Sequence, residues 1–372
     1  MHADPRLQQI ELARRAVLHG SGSVTDALVQ AWYDRAWLER SWRRCLAQGH
    51  RPEQHVAFDM VPSNARQHAA EAHRGLLSAA RPELERLARA VAPIRYFAIL
   101  TDAHGTVIDT TGAIDRRDPR ADVIARVGVD LSERSVGTSA IGAALGELQP
   151  VWLHRGEHFF QDTSVYSCAG APLFGPNGRC VGMLDLTGVE VAERPELKHL
   201  VARSARAIEA ALALAVPHAL QLDLAWADSL PGDEQGALLC LDAEGAVVSS
   251  NGAAREMLPH LHGLAHGPVH ASDLFALPWQ HLFDQAGRAE PAQVPLWSGL
   301  RLAVRARRPR ADAPGPASPS RPPLKALETE LIHQAVREAG GNVDAAARTL
   351  GLSRATVYRR LAATRGGGRP QG

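Results

Sequence analysis

The sequence predicts an α+β multidomain protein that ends in a small all-α helix-turn-helix. Three observations predict this class. Strand pairs joined by tight turns lie between amphipathic helices from Glu83 onward, a shorter strand–turn–strand–helix pattern begins near 236, and two short helical patterns flank Gly351. At 372 residues the chain is long enough for two or three domains, each with its own core.

The first element, residues 1–73, is predicted to be a helical region. Within "AWYDRAWLERSWRRCLAQGHRPEQ" five residues fall at helical spacing: Trp32, Ala36, Trp37, Arg40 and Arg44. We expect the aromatic side chains here to pack rather than to bind a ligand. The stretch "RSWRRC" is similar to a segment near the start of activators of the acetoin-catabolism-regulator type.

Residues 74–216 form the second element, predicted to be an antiparallel α+β sensor unit. "ELERLARAVAP" is typical of an amphipathic helix, and "RYFAILTD" and "VIDTTG" are typical of strands around the turn "AHGT". "SVYSCAGAPLFGPNGRCVGMLDLTG" adds two strands around a turn at Pro176–Gly178. A long helix, "AERPELKHLVARSARAIEAALALA", closes the unit.

The stretch from Gly128 to Gly188 resembles the GAF domain of acetoin-regulator-type proteins. This resemblance implies a small-molecule pocket between the sheet and its covering helices. Six residues on or beside the strands combine aromatic walls with a few polar groups, as small-molecule sites do. Each also suits a place in the core or on the surface, and together they form the predicted ligand site: Trp152, His158, Phe159, Tyr166, Cys168 and Asp185.

A shorter unit follows over residues 220–308. "GALLCLDAEGAVVSSNGAAREML" predicts strand, turn, strand and a helix that begins at Asn251, and "LWSGLRLAVRARRP" predicts a late strand pair. The pattern resembles the beginning of a PAS domain but is short for one, so a PAS-like unit and a degenerate remnant both stay open. Residues 309–323, rich in Pro, Ala and Ser, are predicted to be a disordered linker.

The last folded element, residues 324–363, has helix-turn-helix spacing in "GGNVDAAARTLGLSRATVYRRL". Asn342 caps a first short helix, Gly351 ends it, and Ser353 caps a second. In a major groove the start of the second helix would meet base edges, while arginines and hydroxyls reach phosphates. The predicted DNA-binding residues are Asn342, Ser353, Arg354, Ala355, Thr356, Tyr358, Arg359 and Arg360. A terminal helical hairpin with a solvated basic face is the alternative.

The segment Leu324–Leu361 resembles the Fis-type helix-turn-helix that ends many bacterial activators, which implies a homodimer on double-stranded DNA. Its preceding helix carries an apolar stripe that would roof the motif or pair two copies: Leu327, Leu331, Ala335 and Val336. Residues 364–372 are predicted to be a disordered tail. The formal charge of +1 divides into about +9 over residues 301–372 and −8 elsewhere, which suits nucleic acid bound at one end.

Regulators with this sensor and this ending usually carry a sigma-54-interacting AAA+ ATPase between them. That machine needs the phosphate loop G-x-x-x-x-G-K-[ST]. The chain has only Lys198 and Lys325, and neither follows a glycine. The roughly eighty residues between sensor and linker are also too few for an ATPase fold. The resemblance therefore implies a regulator without ATPase activity, with RNA polymerase or a full-length relative as further candidate partners.

The four cysteines show no C-x-x-C pair, so neither a zinc knuckle nor a disulfide scaffold is predicted. The sequence has no apolar run of membrane-span length and no signal-peptide core, which predicts a cytoplasmic protein without membrane contact. His154 and His158 lie four apart, but their neighbours favour strand and loop over a metal-binding helix. We predict neither a metal nor a cofactor.

The leading hypothesis is a DNA-binding transcription regulator, not an enzyme, that responds to a small-molecule effector through its GAF-like domain. A second hypothesis is a thiol-based GAF-type reductase or redox sensor with an appended DNA-binding tail, for which Cys168 and Cys180 would be cross-strand neighbours. A third is an architectural DNA bender in which only the Fis-type end is active.

Overall fold

The computed structural model describes residues 5–18, 36–58, 61, 64–227, 236–309, 343 and 347. The chain divides into two compact units, Met1–Ala311 and Asp312–Gly372. Val343 and Ala347 are helical, as expected for the first helix of the predicted helix-turn-helix. The rest of that motif, all eight predicted DNA-binding residues and positions 310–323 of the predicted linker lie outside the described residues.

The first unit contains a five-stranded antiparallel sheet in the order β2-β1-β5-β4-β3. Its strands are β1 (Tyr96–Asp102), β2 (Val107–Gly112), β3 (Val151–His154), β4 (Tyr166–Phe174) and β5 (Cys180–Val189). The predicted strand pairs and the predicted turn at Pro176–Gly178 are confirmed. At the β4–β5 turn Gly178 has a φ of +83°, a left-handed conformation that favours glycine.

Helices cover both faces of this sheet. On one face lie α4 (Arg74–Val91) and α8 (Leu197–Leu214). Buried residues of α4 recur every three or four positions, as an amphipathic helix requires: Leu76, Ala80, Leu84, Leu87 and Val91. They pack with strand residues such as Leu100 and Leu184 and with Val201 and Ile208 of α8. The predicted amphipathic helix and the predicted long closing helix are both confirmed.

The opposite face is covered by shorter helices from the first half of the chain. They are α1 (Pro5–Leu18), α2 (Ala36–Ala47), α5 (Pro119–Ile124), α6 (Glu133–Val136) and α7 (Ala140–Glu147), and α3 (Ala65–Ala72) precedes α4 directly. Trp37 and Trp42 of α2 are buried in the core beneath them, which confirms for these two side chains the expectation that they pack. Trp32 lies outside the described residues.

A second five-stranded antiparallel sheet follows, in the order β8-β7-β6-β10-β9. It consists of β6 (Leu220–Trp226), β7 (Ala237–Leu241), β8 (Val247–Ser250), β9 (Ala292–Pro295) and β10 (Arg301–Arg307), with short helices α9 (Gly252–Met257), α10 (Ala271–Leu274) and α11 (Gln280–Asp284). Asn251 caps α9 as predicted, since its side-chain oxygen accepts from the Ala254 N–H at 3.0 Å.

Two features of this sheet differ from the sequence prediction. The central strand β6 was not predicted, and the first strand of the late pair is Ala292–Pro295 rather than part of "LWSGL". That stretch forms the turn instead, in which the Leu296 N–H donates to the Leu300 carbonyl at 2.8 Å. A turn of mixed apolar residues resembles a strand when only composition is considered. Together the two sheets and their helices confirm the mixed α+β class.

Within the described ranges, no helix is both long and apolar enough to cross a bilayer.

Candidate ligand-binding site

A small cavity lies between the first sheet and the short helices that cover it. Its volume is about 40 Å³. The apolar part of its wall comes from the sheet, α5 to α7 and the neighbouring loops: Phe58, Ile99, Ile124, Leu131, Val136, Ala140 and Ile141. The polar groups of its wall are Ser139, His158, Thr163, Tyr166, Cys168, Asp185 and Thr187. The cavity therefore combines a branched aliphatic lining with polar groups concentrated on β4, β5 and one loop.

The alternation of the two central strands places four of these polar residues side by side. Tyr166 and Cys168 are two positions apart on β4, and Asp185 and Thr187 are two positions apart on β5, so each pair points to one face of the sheet. The register pairs Cys168 with Thr187. The alternation of side chains along each strand and the register between β4 and β5 therefore bring these four residues together at the cavity floor.

Asp185 is a fully buried carboxyl group in this floor. The Thr187 hydroxyl donates to Oδ2 of Asp185, whereas Oδ1 has no hydrogen-bond partner among the residues that the structure describes. Loss of solvation raises the pKa of Asp185 to about 7. Near neutral pH the group is thus present in both forms, and Oδ1 is able to accept a hydrogen bond or, when protonated, to donate one.

His158 presents a single lone pair to the same cavity. Its Nδ1 lies 2.9 Å from the Arg155 carbonyl oxygen, which only accepts, so Nδ1 carries the proton. Burial lowers the pKa of His158 to about 4, and the ring is neutral at pH 7. Nε2 is therefore an acceptor, and it too has no hydrogen-bond partner in the described part of the chain.

These two atoms indicate what the cavity is suited to bind. An unmade hydrogen bond at a buried polar atom costs about 1–3 kcal/mol. Oδ1 of Asp185 and Nε2 of His158 carry such a cost at one cavity. A ligand that donates to His158 and pairs with Asp185 would remove both penalties at once.

The segment that carries His158 is held from outside by α1 and α2. The Arg14 guanidinium donates to the carbonyl oxygens of Gly156 at 2.7 Å and Phe159 at 2.9 Å. The Trp42 indole N–H donates to the Glu157 carbonyl at 2.9 Å. The position of the His158 ring thus depends on backbone contacts made by the N-terminal helices.

The helix α2 also clamps the helices that roof the cavity. Arg44 donates to Glu133 of α6 at 3.0 Å and to Glu147 of α7 at 2.7 Å, and the Ser41 hydroxyl lies 2.7 Å from Glu133. Both carboxylates are mostly buried. Although desolvation opposes the shift, hydrogen bonds from Arg40 and Arg44 lower the pKa of Glu147. The "RSWRRC" stretch that the sequence analysis noted therefore attaches α2 to α6 and α7, the helices that roof the cavity.

The structure brings four of the six predicted ligand-site residues to the cavity wall: His158, Tyr166, Cys168 and Asp185. Trp152 lies elsewhere, because alternation along β3 sends it to the opposite face of the sheet, where the Arg6 guanidinium lies 5.5 Å from its ring. Phe159 is fully buried against Phe160, with ring centroids 5.1 Å apart, and does not line the cavity.

Thr187 and the aliphatic wall residues line the cavity but are not among the six residues predicted from the sequence as a ligand site. Thr187 was accessible to prediction from the sequence, since it follows Asp185 by two positions on a predicted strand. Ile99, Ile124 and Ile141 were not accessible, because they come from three separate elements that only the tertiary fold brings together.

The thiols are not arranged for redox chemistry. The hypothesis that Cys168 and Cys180 are cross-strand neighbours is wrong: Cys168 pairs with Thr187 and Cys180 with Phe174, near opposite ends of the hairpin. Burial raises the pKa of Cys168 well above its ordinary value, that of Cys45 to about 12 and that of Cys240 to about 11, and it also raises the pKa of Cys180. Thiolates, the reactive form, are therefore disfavoured at all four positions.

The spacing of His154 and His158 leads to no metal site. His154 belongs to β3 and its Nδ1 lies 2.7 Å from the Ser167 hydroxyl, so strand and loop replace the helix that the spacing would need. Across the described residues, His, Cys, Asp and Glu side chains form no group of three or more that is suited to a metal ion.

Two families match the chain. Residues 34–210, which include the whole first sheet, match the MimR N-terminal domain. Residues 323–363 match the family described as bacterial regulatory protein, Fis family. The predicted Fis-type ending is thereby confirmed.

Three of the curated relatives that the chain resembles are named as transcription regulators. The acetoin catabolism regulatory protein of Cupriavidus necator is 29% identical over 243 residues, which cover 62% of this chain and 36% of that protein. The acetoin dehydrogenase operon transcriptional activator AcoR of Bacillus subtilis is 27% identical over 195 residues, 51% and 31% of the two chains. The propane 2-monooxygenase operon transcriptional activator MimR of Mycolicibacterium goodii is 35% identical over 115 residues, which cover 30% of this chain and 20% of that protein.

The chain spans about a third or less of the length of these three relatives. Among solved structures, the Escherichia coli DhaR(N)–DhaL complex has a TM-score of 0.44 and 16% identity over 74% of this chain and 99% of that one. The resemblance to acetoin-regulator-type proteins, predicted from the sequence, is confirmed by the curated relatives and by both family matches.

Proposed function

We propose that this chain, which combines a MimR-type N-terminal domain with a Fis-type helix-turn-helix segment, is a DNA-binding transcription regulator that responds to a small-molecule effector. The observation that carries the effector part is the cavity in the first sheet, where two buried polar atoms lack hydrogen-bond partners among the described residues. We assign the sensor to residues 74–216 and a PAS-like or degenerate sensor unit to residues 220–308.

The cavity favours a small, uncharged effector that carries at least one hydroxyl group. One water needs roughly 10–15 Å³ of such space, so a volume of about 40 Å³ admits only a few heavy atoms unless the wall yields. A hydroxyl donates to Nε2 of His158, and a neighbouring oxygen or hydroxyl pairs with Oδ1 of Asp185. The aliphatic wall accommodates short alkyl groups. A carboxylate ligand is disfavoured, because its charge would face that of ionised Asp185.

A short hydroxyketone or diol meets these requirements. Two of the relatives, from Cupriavidus necator and Bacillus subtilis, are named for acetoin catabolism or the acetoin dehydrogenase operon. Acetoin has one hydroxyl, one adjacent carbonyl and two methyl groups. Acetoin and 2,3-butanediol are therefore the first compounds to test.

Isothermal titration calorimetry of the purified chain with both compounds tests the site. We expect Asp185→Asn and His158→Phe each to weaken binding by about tenfold to a hundredfold, the loss of one or two buried hydrogen bonds. Trp152→Phe, on the opposite face of the sheet, is the matched control and should bind like the parent. Binding that both cavity variants leave unchanged would place the effector elsewhere.

For the Fis-type segment we propose the contacts that its sequence predicts. Arg354, Thr356, Tyr358 and Arg359 would contact bases and phosphates from the second helix, with a homodimer on the operator. A gel-shift titration over several salt concentrations compares the parent with the double variant Arg354→Ala Arg359→Ala. The expected result is weaker binding and a shallower dependence on salt, by about one unit of slope per lost phosphate contact. Salt-sensitive binding that the double variant retains in full would contradict the assignment.

We further propose that regulation by this chain does not use ATP. The sequence between the sensor and the helix-turn-helix has no lysine before Lys325, and so no phosphate-binding loop. Its effect on transcription would then come from where it binds and with which partner, RNA polymerase or a full-length relative. The raised pKa values of all four thiols give no support to a reductase or redox-sensor role. We propose a cytoplasmic location, as DNA binding requires in a bacterium.

A further inference from the structure

Glu209 of α8 lies where the two sheets of the first unit meet, and its carboxylate is bonded to elements of both. Oε1 accepts from the Phe174 N–H at the end of β4, at 3.1 Å. Oε2 accepts from the Gly252 N–H at the start of α9, at 3.0 Å. The side chain is only 5% exposed. One buried carboxylate therefore joins the backbone of the first sheet to that of the second sheet's leading helix.

Arg255 of α9 completes this junction. It is 6% exposed, and its guanidinium lies 3.8 Å from Oε2 of Glu209. Nη1 donates to the Ser250 carbonyl at 2.7 Å and lies 3.4 Å from the carbonyl oxygen of Gly175 in the β4–β5 turn. A buried charge is costly without a partner, so each member of the Glu209–Arg255 pair depends on the other.

Close backbone approaches keep the junction tight. The Ser250 N–H, at the end of β8, donates to the Pro176 carbonyl of the β4–β5 turn at 3.0 Å. A Cβ at Gly252 would lie 2.8 Å from Oε2 of Glu209, so only glycine allows the carboxylate to reach this N–H without a shift. The turn of the first sheet and the β8–α9 corner of the second are therefore in direct backbone contact.

The same hairpin leads directly to the cavity. Cys168 lies six residues before Phe174 on β4, roughly 20 Å at the rise of an extended strand. Thr187, on the partner strand β5, faces Cys168 across the ladder. Two hydrogen-bonded strands thus connect the cavity floor to the turn region that Glu209 and Arg255 contact.

We propose that Glu209 and Arg255 couple the cavity to the second sheet, so that a change at the cavity floor alters the β8–α9 corner. Coupling of this kind is a difference in free energy between two arrangements of a shared element, and here the shared element is the β4–β5 hairpin. The proposal does not depend on the identity of the effector or on the DNA-binding end.

A test without any ligand perturbs the cavity by Thr187→Val, which removes the hydroxyl that donates to Asp185 and lies 3.3 Å from the Cys168 sulfur. Hydrogen–deuterium exchange of the full chain then reports on backbone amides of residues 247–257. We expect Thr187→Val to change their exchange rate by at least about threefold, a size typical of coupled sites. When Glu209→Gln or Arg255→Lys is also present, this response should fall below about 1.5-fold.

Glu209→Gln keeps the size of the side chain but leaves only one acceptor oxygen for two N–H groups, and Arg255→Lys serves as the second variant if the first does not fold. Asp223→Asn is the matched control, because Asp223 is a mostly buried carboxylate whose partner, Arg307 at 2.8 Å, belongs to the same sheet. The control should leave the response to Thr187→Val intact. A response of equal size with and without the junction variants, or no response in the parent, would overturn the proposal.

Discussion

At the scale of single residues, Asp185 offers the most direct test of the proposed sensor, because its protonation is measurable. It is fully buried, it accepts one hydrogen bond from Thr187, and its pKa is raised to about 7 by loss of solvation. Its presence in the cavity follows from one strand position, and a shift of one residue in register would turn it to the other face. The sequence predicted it as a ligand-site residue because it lies on a strand expected to line the pocket, as one of a few polar groups among aromatic walls.

The raised pKa of Asp185 makes stability depend on pH. Between about 4 and 7 the folded state holds a proton that the unfolded state has released, so this group's contribution falls as the pH rises through that window. His158 acts in the opposite sense, because burial lowers its pKa to about 4 in the folded state. Below pH 6.5 the unfolded state binds a proton at this ring that the folded state does not, so this contribution to stability falls as the pH falls. Asp185→Asn removes the first contribution and leaves the second.

We therefore expect the free energy of unfolding of the parent, relative to Asp185→Asn, to decrease from pH 5 to pH 7 by up to about 1.4 kcal/mol per pH unit. Urea unfolding at four pH values between 5 and 8 measures this difference. Parallel curves for the two proteins would show that Asp185 is not held in the protonated form.

At the scale of elements, α2 attaches the roof of the cavity to the rest of the first unit. Arg44 bonds Glu133 of α6 and Glu147 of α7, and these two helices carry the roof residues Val136, Ala140 and Ile141. The sequence predicted this helix and the burial of its tryptophans from spacing alone. It did not predict the clamp, because Glu133 and Glu147 are about ninety and a hundred positions away from Arg44.

Arg44→Ala should destabilise the protein by about 1–3 kcal/mol, because it removes a cationic partner from each of two mostly buried carboxylates. It should also weaken effector binding, since the roof helices lose their attachment. The neighbouring Arg43 bonds only Glu39 of its own helix among the described contacts, and both side chains are exposed. Arg43→Ala is therefore the matched control, with an expected change within about 0.5 kcal/mol. Equal destabilisation by the two variants, measured by urea unfolding, would contradict the clamp.

Prediction from the sequence succeeded for elements whose signal is local. The β1–β2 and β4–β5 hairpins, the cap at Asn251 and the long helix α8 are each predicted from one continuous stretch of sequence. It failed where the outcome depends on distant pairing. β6 becomes the central strand of the second sheet only by pairing with β10, some eighty positions later, and the separation of Cys168 from Cys180 depends on the β4–β5 register.

The whole molecule combines a domain that matches the MimR N-terminal family with a Fis-type helix-turn-helix segment, and the sequence between them has no phosphate-binding loop. Both ends are supported by family matches, at residues 34–210 and 323–363. In the proposed function the cavity holds the effector, and the proposed coupling runs from the cavity to the second sheet through the Glu209–Arg255 junction. Under this proposal, regulation is one binding event that alters another, described by a coupling free energy between effector and DNA.

The most direct measurement is the affinity of the full chain for its operator DNA, by fluorescence anisotropy, with and without acetoin or 2,3-butanediol and with no ATP present. We expect one of these compounds to change the affinity by at least about fivefold, the lower end of typical allosteric coupling, and Asp185→Asn to abolish that change while DNA binding persists. An affinity that neither compound alters, or that changes only when ATP is added, would contradict the account.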